Sequence, residues 1–208
     1  MAMLSLFKIR VKNYSLNLQG EYELDINLIN SIEALLFGAG RPIRLSEMKN
    51  ILENNGIEAD LSEIKKSLFS LEERYSNTAI EIQDVASGYR IQIKQEHSPC
   101  LSSLWDDKKP RISKALMETI SIIAYKQPVT RGDIEDIRGV TVSTRSIRFL
   151  LERNWVKVSG YRDVPGRPAL YVTTKDFLDD LNLKNISELP DLPEINETAE
   201  NDIFSQAV

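Results

Sequence analysis

Residues 113–174 decide the fold of this chain. They begin SKALMETISIIAYKQPVTRGDIEDIRG and end GYRDVPGRPALYVTT. Leu116, Ile120 and Ile123 recur at the spacing of one face of an α-helix. Because Pro128 lacks a backbone N–H and its ring clashes with the preceding turn, we expect this first helix to end just before it.

A second helix follows this break. Thr130 and Asp133 have the spacing of a capping box, in which a hydroxyl and a carboxylate accept from backbone N–H groups that a helix start leaves unpaired. Ile134 and Ile137 are expected to form the inward face of this short helix. Gly139 is expected to end it, because glycine readily adopts the left-handed conformation that closes many helices.

A third helix and two strands complete the stretch. Ser143 is a suitable N-cap, and the apolar positions of the third helix recur at helical spacing as far as Trp155. Val156 and Val158 alternate with polar residues, as in a half-buried strand, and residues 170–173 supply the returning strand. Helix, helix, helix, strand, wide turn and strand is the order of a winged helix-turn-helix module. This is an α+β fold that is mostly α.

The first half of the chain shows the same order. Its second helical pattern is opened by Ser46 and its third by Asp60, and two period-two runs follow, joined across residues 85–88. Placing Pro42 on Pro128, an offset of 86 residues, also aligns the apolar positions nearby. We therefore predict two tandem winged helix-turn-helix domains, each with three helices and a small β-wing.

The predicted organisation has five parts. They are an N-terminal arm at residues 1–27, a first domain at residues 28–94, a linker at residues 95–110, a second domain at residues 111–183 and an acidic tail at residues 184–208. The arm is expected to be flexible, because chain termini are ordered only where other parts hold them. The polar, acidic composition of the tail predicts disorder.

Charge is unevenly distributed along the chain. The net charge of the 208 residues is −5, but residues 111–171 carry 11 Lys/Arg and 6 Asp/Glu, whereas residues 172–208 carry 2 and 9. The central region is therefore mildly basic and the tail acidic. A single cysteine excludes an intrachain disulfide and favours a reducing compartment. No apolar run approaches the ~20 residues of a membrane span, so we expect a cytoplasmic protein.

No residue pattern indicates a reaction centre or a cofactor site. His97 and Cys100 are three residues apart, but two ligands do not complete the four-ligand shell of a structural zinc site. Neither GxxxxGK[ST] nor GxGxxG occurs. Asp133, Glu135 and Asp136 lie near a helix start, where acidic residues ordinarily complement the helix dipole. A hydrolase that uses them is a weak alternative, and we expect no enzymatic activity, no cofactor and no metal.

The basic residues have two interpretations. Arg145 and Arg148 lie on the third helix, which enters the major groove in DNA-binding helix-turn-helix proteins. A winged-helix DNA-binding transcriptional regulator is therefore the main alternative to a protein-docking function. In the other interpretation the side chains are solvated, with Arg148 paired to Glu152. A small positive surplus beside an acidic tail favours at most weak, non-specific DNA contact.

The most specific segment is the predicted wing loop, residues 162–168 (RDVPGRP). Pro165 and Gly166 favour a tight turn, with the glycine at positive φ. Arg167 precedes a proline and is expected to be extended, as the start of a strand. Asp163 is placed to pair with either flanking arginine. A generic wing does not need this density of proline, glycine and arginine, which indicates that a defined loop shape is required.

These segments resemble the segregation and condensation protein B family. The resemblance rests on residues 121–130 (SIIAYKQPVT), 134–139 (IEDIRG), 150–155 (LLERNW), 160–171 (GYRDVPGRPALY) and 189–193 (LPDLP). It spans about residues 28–195. It implies a non-enzymatic subunit with two winged-helix domains that forms a homodimer through the first. It also implies binding to a kleisin subunit, segregation and condensation protein A. That kleisin bridges the heads of a structural-maintenance-of-chromosomes ATPase in chromosome condensation and partition.

Two candidate surfaces follow from this resemblance. For the homodimer we expect exposed apolar positions on the first helix, at Ile29, Ile32, Leu36 and Phe37. For the kleisin we expect contacts near the third helix and the wing loop of the second domain, at Arg145, Arg148, Arg162, Asp163, Pro165, Gly166 and Arg167. Two binding sites on one chain, doubled by a dimer, raise the effective concentration without new contacts.

Overall fold

Two helix-rich units follow each other along the chain, each completed by an antiparallel hairpin. The computed structural model describes residues 26–102 and 112–191. The N-terminal unit comprises α1 (Ile26–Ala39), α2 (Leu45–Asn54), α3 (Leu61–Tyr75), β1 (Ile80–Val85) and β2 (Gly88–Ile93), and is followed by the short α4 (Ser98–Ser102). The C-terminal unit comprises α5 (Lys114–Lys126), α6 (Arg131–Arg138), α7 (Thr144–Glu152), β3 (Val156–Tyr161), β4 (Ala169–Thr173) and α8 (Lys175–Asp180).

Each unit has its own apolar core. In the N-terminal unit the side chains of Ile32, Ile64 and Leu71 are inaccessible to solvent. In the C-terminal unit the side chains of Ile123 and Leu150 are likewise inaccessible to solvent. Burying one such side chain stabilises the folded state by roughly 1.5–3 kcal/mol, so the helices of each unit are held mainly by these cores.

Several helix ends have the predicted caps. The Asp60 carboxylate accepts from the Glu63 backbone N–H at 2.8 Å and begins α3. The Thr130 hydroxyl accepts from the Asp133 backbone N–H at 3.2 Å and begins α6. Gly139 ends α6 with φ +68°. These three predictions from local spacing are confirmed.

Two predicted boundaries are wrong. Helix α2 begins at Leu45, so Ser46 already lies within it, and the N-cap is Arg44, whose side chain makes no capping hydrogen bond. Ile43, which bridges to Tyr89 of β2, lies only two residues before Leu45, so the chain passes directly from this bridge into α2. Helix α7 ends three residues before Trp155. The Trp155 ring instead packs edge-on against Phe177, with ring centroids 5.8 Å apart.

Ile137 does not share the inward face predicted for it with Ile134. Ile134 is fully buried, whereas 54% of Ile137 is exposed. With 3.6 residues per turn, a step of three residues places Ile137 to one side of Ile134. Since α6 is only eight residues long, its contact with the core is narrow and Ile137 falls outside it.

The same short bridge occurs in both units, after the aligned prolines. In the N-terminal unit Ile43 and Tyr89 exchange two backbone hydrogen bonds of 2.9 Å. In the C-terminal unit Val129 and Tyr171 do so at 3.2 and 2.7 Å. Ile43 and Val129 are 86 residues apart, so the offset seen in the sequence aligns the two residues that bridge to the second strand of each hairpin.

The turn of the β1–β2 hairpin is held by the end of the C-terminal unit. The Ala86 N–H donates to the Leu183 carbonyl at 3.0 Å, and the Ser87 N–H donates to the Asp179 carboxylate at 2.9 Å. Both backbone donors of this two-residue turn therefore bind residues of α8 or just beyond it.

Side chains extend this contact, here called the inter-unit seam. The Arg90 guanidinium donates to the Asp179 carbonyl at 2.9 Å and to the Asn182 side-chain oxygen at 2.6 Å. Lys184 forms an ion pair with Asp84, and this pairing raises the pKa of Lys184. The seam is thus polar, and it joins the hairpin of one unit to the last helix of the other.

The chain beyond α8 is ordered for longer than predicted. Leu189 packs against the core of the C-terminal unit, and the Tyr125 hydroxyl donates to the Pro190 carbonyl. The prediction of disorder is therefore wrong for residues 184–191. The remaining tail, residues 103–111 of the linker and residues 1–25 of the arm lie outside the described residues. Over the described ranges, each helix is too short or too polar to cross a bilayer.

Candidate partner-binding surfaces

The predicted wing loop has a defined backbone shape. The Arg162 N–H donates to the Pro168 carbonyl at 2.9 Å and closes the base of the loop. At the tip, the Arg167 N–H donates to the Val164 carbonyl at 2.9 Å. Gly166 adopts φ +87°, as predicted for this tight turn. The loop is thus closed by a hydrogen bond at its base, and its tip is exposed.

Asp133 fixes the loop to the start of α6. Its two carboxylate oxygens accept from the Arg162 guanidinium at 2.8 and 2.7 Å, a bidentate geometry that is specific as well as strong. The same carboxylate accepts from the Thr130 N–H at 2.8 Å. The hydrogen bonds from Arg162 and from the Thr130 backbone lower the pKa of Asp133 to about 2. One carboxylate therefore caps α6 and anchors the loop of residues 162–168.

Two predictions for this loop are wrong. Asp163 pairs with neither flanking arginine; within the described ranges it forms no ion pair at all, because Arg162 points back to Asp133 instead. Arg167 is not extended but adopts φ +40°. Its N–H closes the turn at the tip, and that hydrogen bond requires the left-handed conformation despite the proline that follows.

The carboxylates near α6 are occupied structurally. Glu135 accepts from the Val142 N–H at 2.8 Å and from the Arg131 guanidinium at 3.0 Å. These two contacts lower the pKa of Glu135. Together with the pairing of Asp133, they stabilise the connection between α6 and α7. Asp133 and Glu135 are therefore held as carboxylates paired with arginines. Groups in this state do not readily serve as general acids or bases.

The arginines of the C-terminal unit fall into two groups. Arg131, Arg138 and Arg153 are each in an ion pair with an acidic residue of the same unit. Arg145 and Arg148 lie exposed on α7, and the described part of the chain offers them no ion pair. Among the described residues the predicted pairing of Arg148 with Glu152 is therefore absent, and both arginines are exposed.

The dimer candidates on α1 are mostly buried. Ile29, Ile32 and Leu36 belong to the core of the N-terminal unit, so the prediction that they are exposed is wrong. Their helical spacing marks the face that packs on α3, and an inward stripe has the same spacing as an outward one. Phe37 is 53% exposed and stays a candidate. It lies beside a groove of about 310 Å³ that includes Pro42, lined also by residues of β2.

The histidine and cysteine of the linker region do not form a metal site in the structure. The imidazole Nε2 of His97 lies 3.3 Å from a Glu96 carboxylate oxygen, and Cys100 is an exposed free thiol. Across residues 26–102 and 112–191, no group of three or more metal-binding side chains is assembled.

Sequence reasoning missed two features. The inter-unit seam depends on residues such as Arg90 and Lys184. Their partners, Asp179 and Asp84, lie about ninety to one hundred positions away in the sequence, so no local pattern marks them. The second is an open groove between α5 and α6, of about 540 Å³, lined by Met117 and Ile137 among others. The helical spacing of Met117 and Glu118 relative to Lys114 was visible, but nothing marked that face as uncovered.

These features define a mostly helical α+β protein with two small antiparallel hairpins. A family model described as "Segregation and condensation complex subunit ScpB" matches residues 30–192. The chain belongs to the segregation and condensation protein B family.

Known relatives are similar over most of the chain. A segregation and condensation protein B homolog of Coxiella burnetii is 47% identical over 79% of this chain and 78% of the relative. A segregation and condensation protein B of Clostridium tetani is 38% identical over 89% and 94%. A crystal structure of a dimer of the ScpB N-terminal domain complexed with a ScpA peptide is 25% identical. It covers 41% of this chain and 95% of that chain, with a TM-score of 0.35.

Proposed function

We propose that this chain is a non-enzymatic, dimeric adaptor subunit of a bacterial condensin-like complex. Its direct partner is an extended segment of the kleisin, segregation and condensation protein A, which links it to a structural-maintenance-of-chromosomes ATPase. In that complex it acts in chromosome condensation and partition. The observation that carries the proposal is the family match over residues 30–192, a range that includes both units.

In this proposal each unit is a winged-helix domain. The order of three helices and a hairpin in both units supports the assignment, as do the equivalent bridges made by Ile43 and Val129. Helices α3 and α7 are then the third helices of the two domains, and the β1–β2 and β3–β4 hairpins are the wings.

The proposed kleisin-binding surface is formed by α7 and the tip of the second wing. Tyr161 and Val164 expose apolar surface there, while Arg145, Arg148 and Arg167 supply cations with no intramolecular partner in the described part of the chain. Exposed apolar side chains together with these arginines fit an extended segment with apolar anchors and acidic flanks. Because Arg162 and Asp133 already hold the loop, little conformational entropy is lost on binding.

The proposed dimer surface is centred on Phe37. This ring and the groove that it borders lie side by side at the end of α1, with Pro42 and Ile91 in the groove wall. A two-fold symmetric interface is self-complementary, so each Phe37 is able to enter the groove of the other copy. A half-exposed aromatic ring is the kind of residue that anchors such interfaces.

Direct DNA binding is the competing interpretation of the same arginines. It is less well supported, because Arg131, Arg138 and Arg153 are neutralised by intramolecular ion pairs. Arg145 and Arg148 alone give few phosphate contacts, and non-specific affinity scales with the number of phosphates neutralised. A transcriptional regulator would show sequence-selective duplex binding that Arg145→Ala abolishes.

Co-purification with the kleisin segment tests the adaptor proposal. The double variant Arg145→Glu/Arg148→Glu should lower kleisin affinity at least 10-fold. The matched control is Lys65→Glu/Lys66→Glu, which makes the same charge change on exposed positions of α3 and should leave affinity unchanged. Equal binding by both variants contradicts the proposed surface, and failure of the unaltered chain to retain the kleisin contradicts the function.

Light scattering tests the dimer surface separately. Phe37→Asp should halve the measured mass at micromolar concentration, whereas Phe69→Asp, at an exposed aromatic position of α3, should leave it unchanged. A dimer that survives Phe37→Asp but not Phe69→Asp assigns the interface to α3 instead.

A further inference from the structure

The groove between α5 and α6 lies apart from the inter-unit seam and from the proposed kleisin and dimer surfaces. Its lining includes two exposed apolar side chains, Met117 at 44% and Ile137 at 54% exposure. Its volume is about 540 Å³, and its lining comprises Lys114, Met117, Glu118, Ser121, Ile122, Ile137 and Arg138. Met117 and Ile137 thus place two large apolar side chains at one concave site, where a further segment is able to cover both.

The lining of this groove includes one nearly buried charged side chain, that of Arg138. Its side chain is only 10% exposed, and it donates through Nη2 to the Glu118 carboxylate at 3.0 Å. Its Nε is buried and has no acceptor among the described residues. The positive charges of Lys114 and Arg138 in the lining favour an occupant that brings carbonyl or carboxylate oxygens.

The chain itself leads to this groove. Lys114, Glu118, Ile122 and Tyr125 follow one another at spacings of three or four residues, which places them on one face of α5. At the end of that face, the Tyr125 hydroxyl holds the Pro190 carbonyl. Asp191, the last described residue at this end of the chain, therefore follows directly after a contact with the C-terminal end of the same stripe of α5 that lines the groove.

We propose that residues 192–204 of this chain bind in the α5–α6 groove. They carry Glu194, Glu197, Glu200 and Asp202 and no Lys or Arg, and they end in the apolar pair Ile203–Phe204. The acidic side chains face Lys114 and Arg138, while the apolar pair covers Met117 and Ile137.

The length of the segment suits this path. From Tyr125 back to Lys114 is eleven residues of helix, or about 16 Å at ~1.5 Å per residue. Thirteen residues cover this distance even in helical form and easily in extended form. Because the tail is tethered at the mouth of the groove, its effective concentration is of millimolar order, so weak intrinsic affinity suffices. The proposal does not depend on the proposed adaptor function.

Methyl NMR of the full chain with ¹³C-labelled methionine tests the proposal. The chain has four methionines, of which Met117 lies in the groove and Met48 is fully buried in the other unit. Deleting residues 192–208 should shift the Met117 methyl signal and leave the Met48 signal in place. The variant Ile203→Asp/Phe204→Asp should move Met117 to the same position as the deletion does.

A matched control adds charge without removing the apolar pair. Thr198→Asp/Gln206→Glu should leave Met117 at its full-length position. A peptide of residues 192–208 added to the deleted chain should return Met117 towards that position. An unchanged Met117 signal on deletion overturns the proposal. So does a Met117 shift that vanishes on dilution of the full chain, because the occupant is then the tail of another copy.

Discussion

The two hairpins of this molecule are both antiparallel and two-stranded, but one turn is bound by the other unit and the other turn is exposed. The β1–β2 hairpin ends in the two-residue turn Ala86–Ser87, whose N–H groups are bound by Leu183 and by the Asp179 carboxylate of the other unit. The β3–β4 hairpin ends in the longer loop of residues 162–168, which is anchored at its base through Arg162 and exposed at its tip.

This difference shows how a repeated fold acquires unequal roles. A turn whose backbone N–H groups are already hydrogen-bonded within the chain cannot offer them to a partner. A hairpin that is rigid but uncovered presents a preformed surface, and ordering it costs little on binding. Under the proposed function, the first hairpin holds the units together and the second binds the partner.

The largest expected effect comes from adding one methyl group to each hairpin. At Gly88 an added Cβ would lie 2.3 Å from the Ile43 carbonyl oxygen, with φ at +134°, whereas at Gly166 it would meet no atom within 4 Å. Gly88→Ala should cost about 3 kcal/mol or more, since the bridge to Ile43 must open. Gly166→Ala should cost only about 1 kcal/mol, for the positive φ. Urea denaturation measures both, and equal costs contradict the assigned difference in packing.

The next effect concerns the seam. Asp179 is nearly buried and accepts from the Ser87 N–H. Asp179→Ala should destabilise the protein by about 2 kcal/mol, because that N–H loses its acceptor. Asp163→Ala is the matched control in the other hairpin and should stay within about 0.5 kcal/mol of the unaltered chain. Thermal unfolding of the two variants measures both losses of stability. Similar losses would mean that both hairpins are held to the same extent.

A smaller effect is expected in the pH dependence of stability, through the pair of Asp133 with Arg162. The pKa of Asp133 is lowered from 3.8 to about 2 by the hydrogen bonds of Arg162 and Thr130. A carboxyl group whose pKa is depressed by folding contributes stability that is complete above about pH 4 and is lost as the pH falls towards 2. Asp133→Asn should abolish this loss and cost about 1 kcal/mol at pH 7. Acid titrations followed by circular dichroism compare the variant with Asp163→Asn, which should keep the full loss.

The smallest effect separates stability from binding at the loop tip. Arg167 adopts φ +40°, a conformation that a side chain disfavours and glycine accepts. Arg167→Gly should raise the unfolding free energy by about 0.5 kcal/mol, the relief of strain being partly offset by chain entropy. The same variant should bind the kleisin segment less tightly. Tighter binding together with higher stability would contradict the assignment of Arg167 to the partner surface.

Local patterns in the sequence were sufficient for much of this structure. The capping residues Asp60 and Thr130, the closing Gly139 and the order of elements were all predicted, because each depends on residues within one or two turns. The positive φ of Gly166 was predicted for the same reason.

Long-range contacts limited the rest. Arg162 binds Asp133, 29 residues away, although Asp163 lies next to it in sequence. Ile32 and Leu36 were placed on the surface because helical spacing does not distinguish an inward stripe from an outward one. The pairing of Lys184 with Asp84 joins two units and leaves no periodic signal. Such errors arise wherever the partner of a side chain is set by tertiary packing.

Hydrogen exchange of the two hairpins, with and without the kleisin segment, tests the central claim most directly. We predict that addition of the segment slows exchange in residues 161–168 and on the exposed face of α7, while Ala86 and Ser87 are protected before addition and change little. Protection gained at Ala86–Gly88, with none gained in residues 161–168, would contradict the assignment of the second hairpin as the partner-binding one.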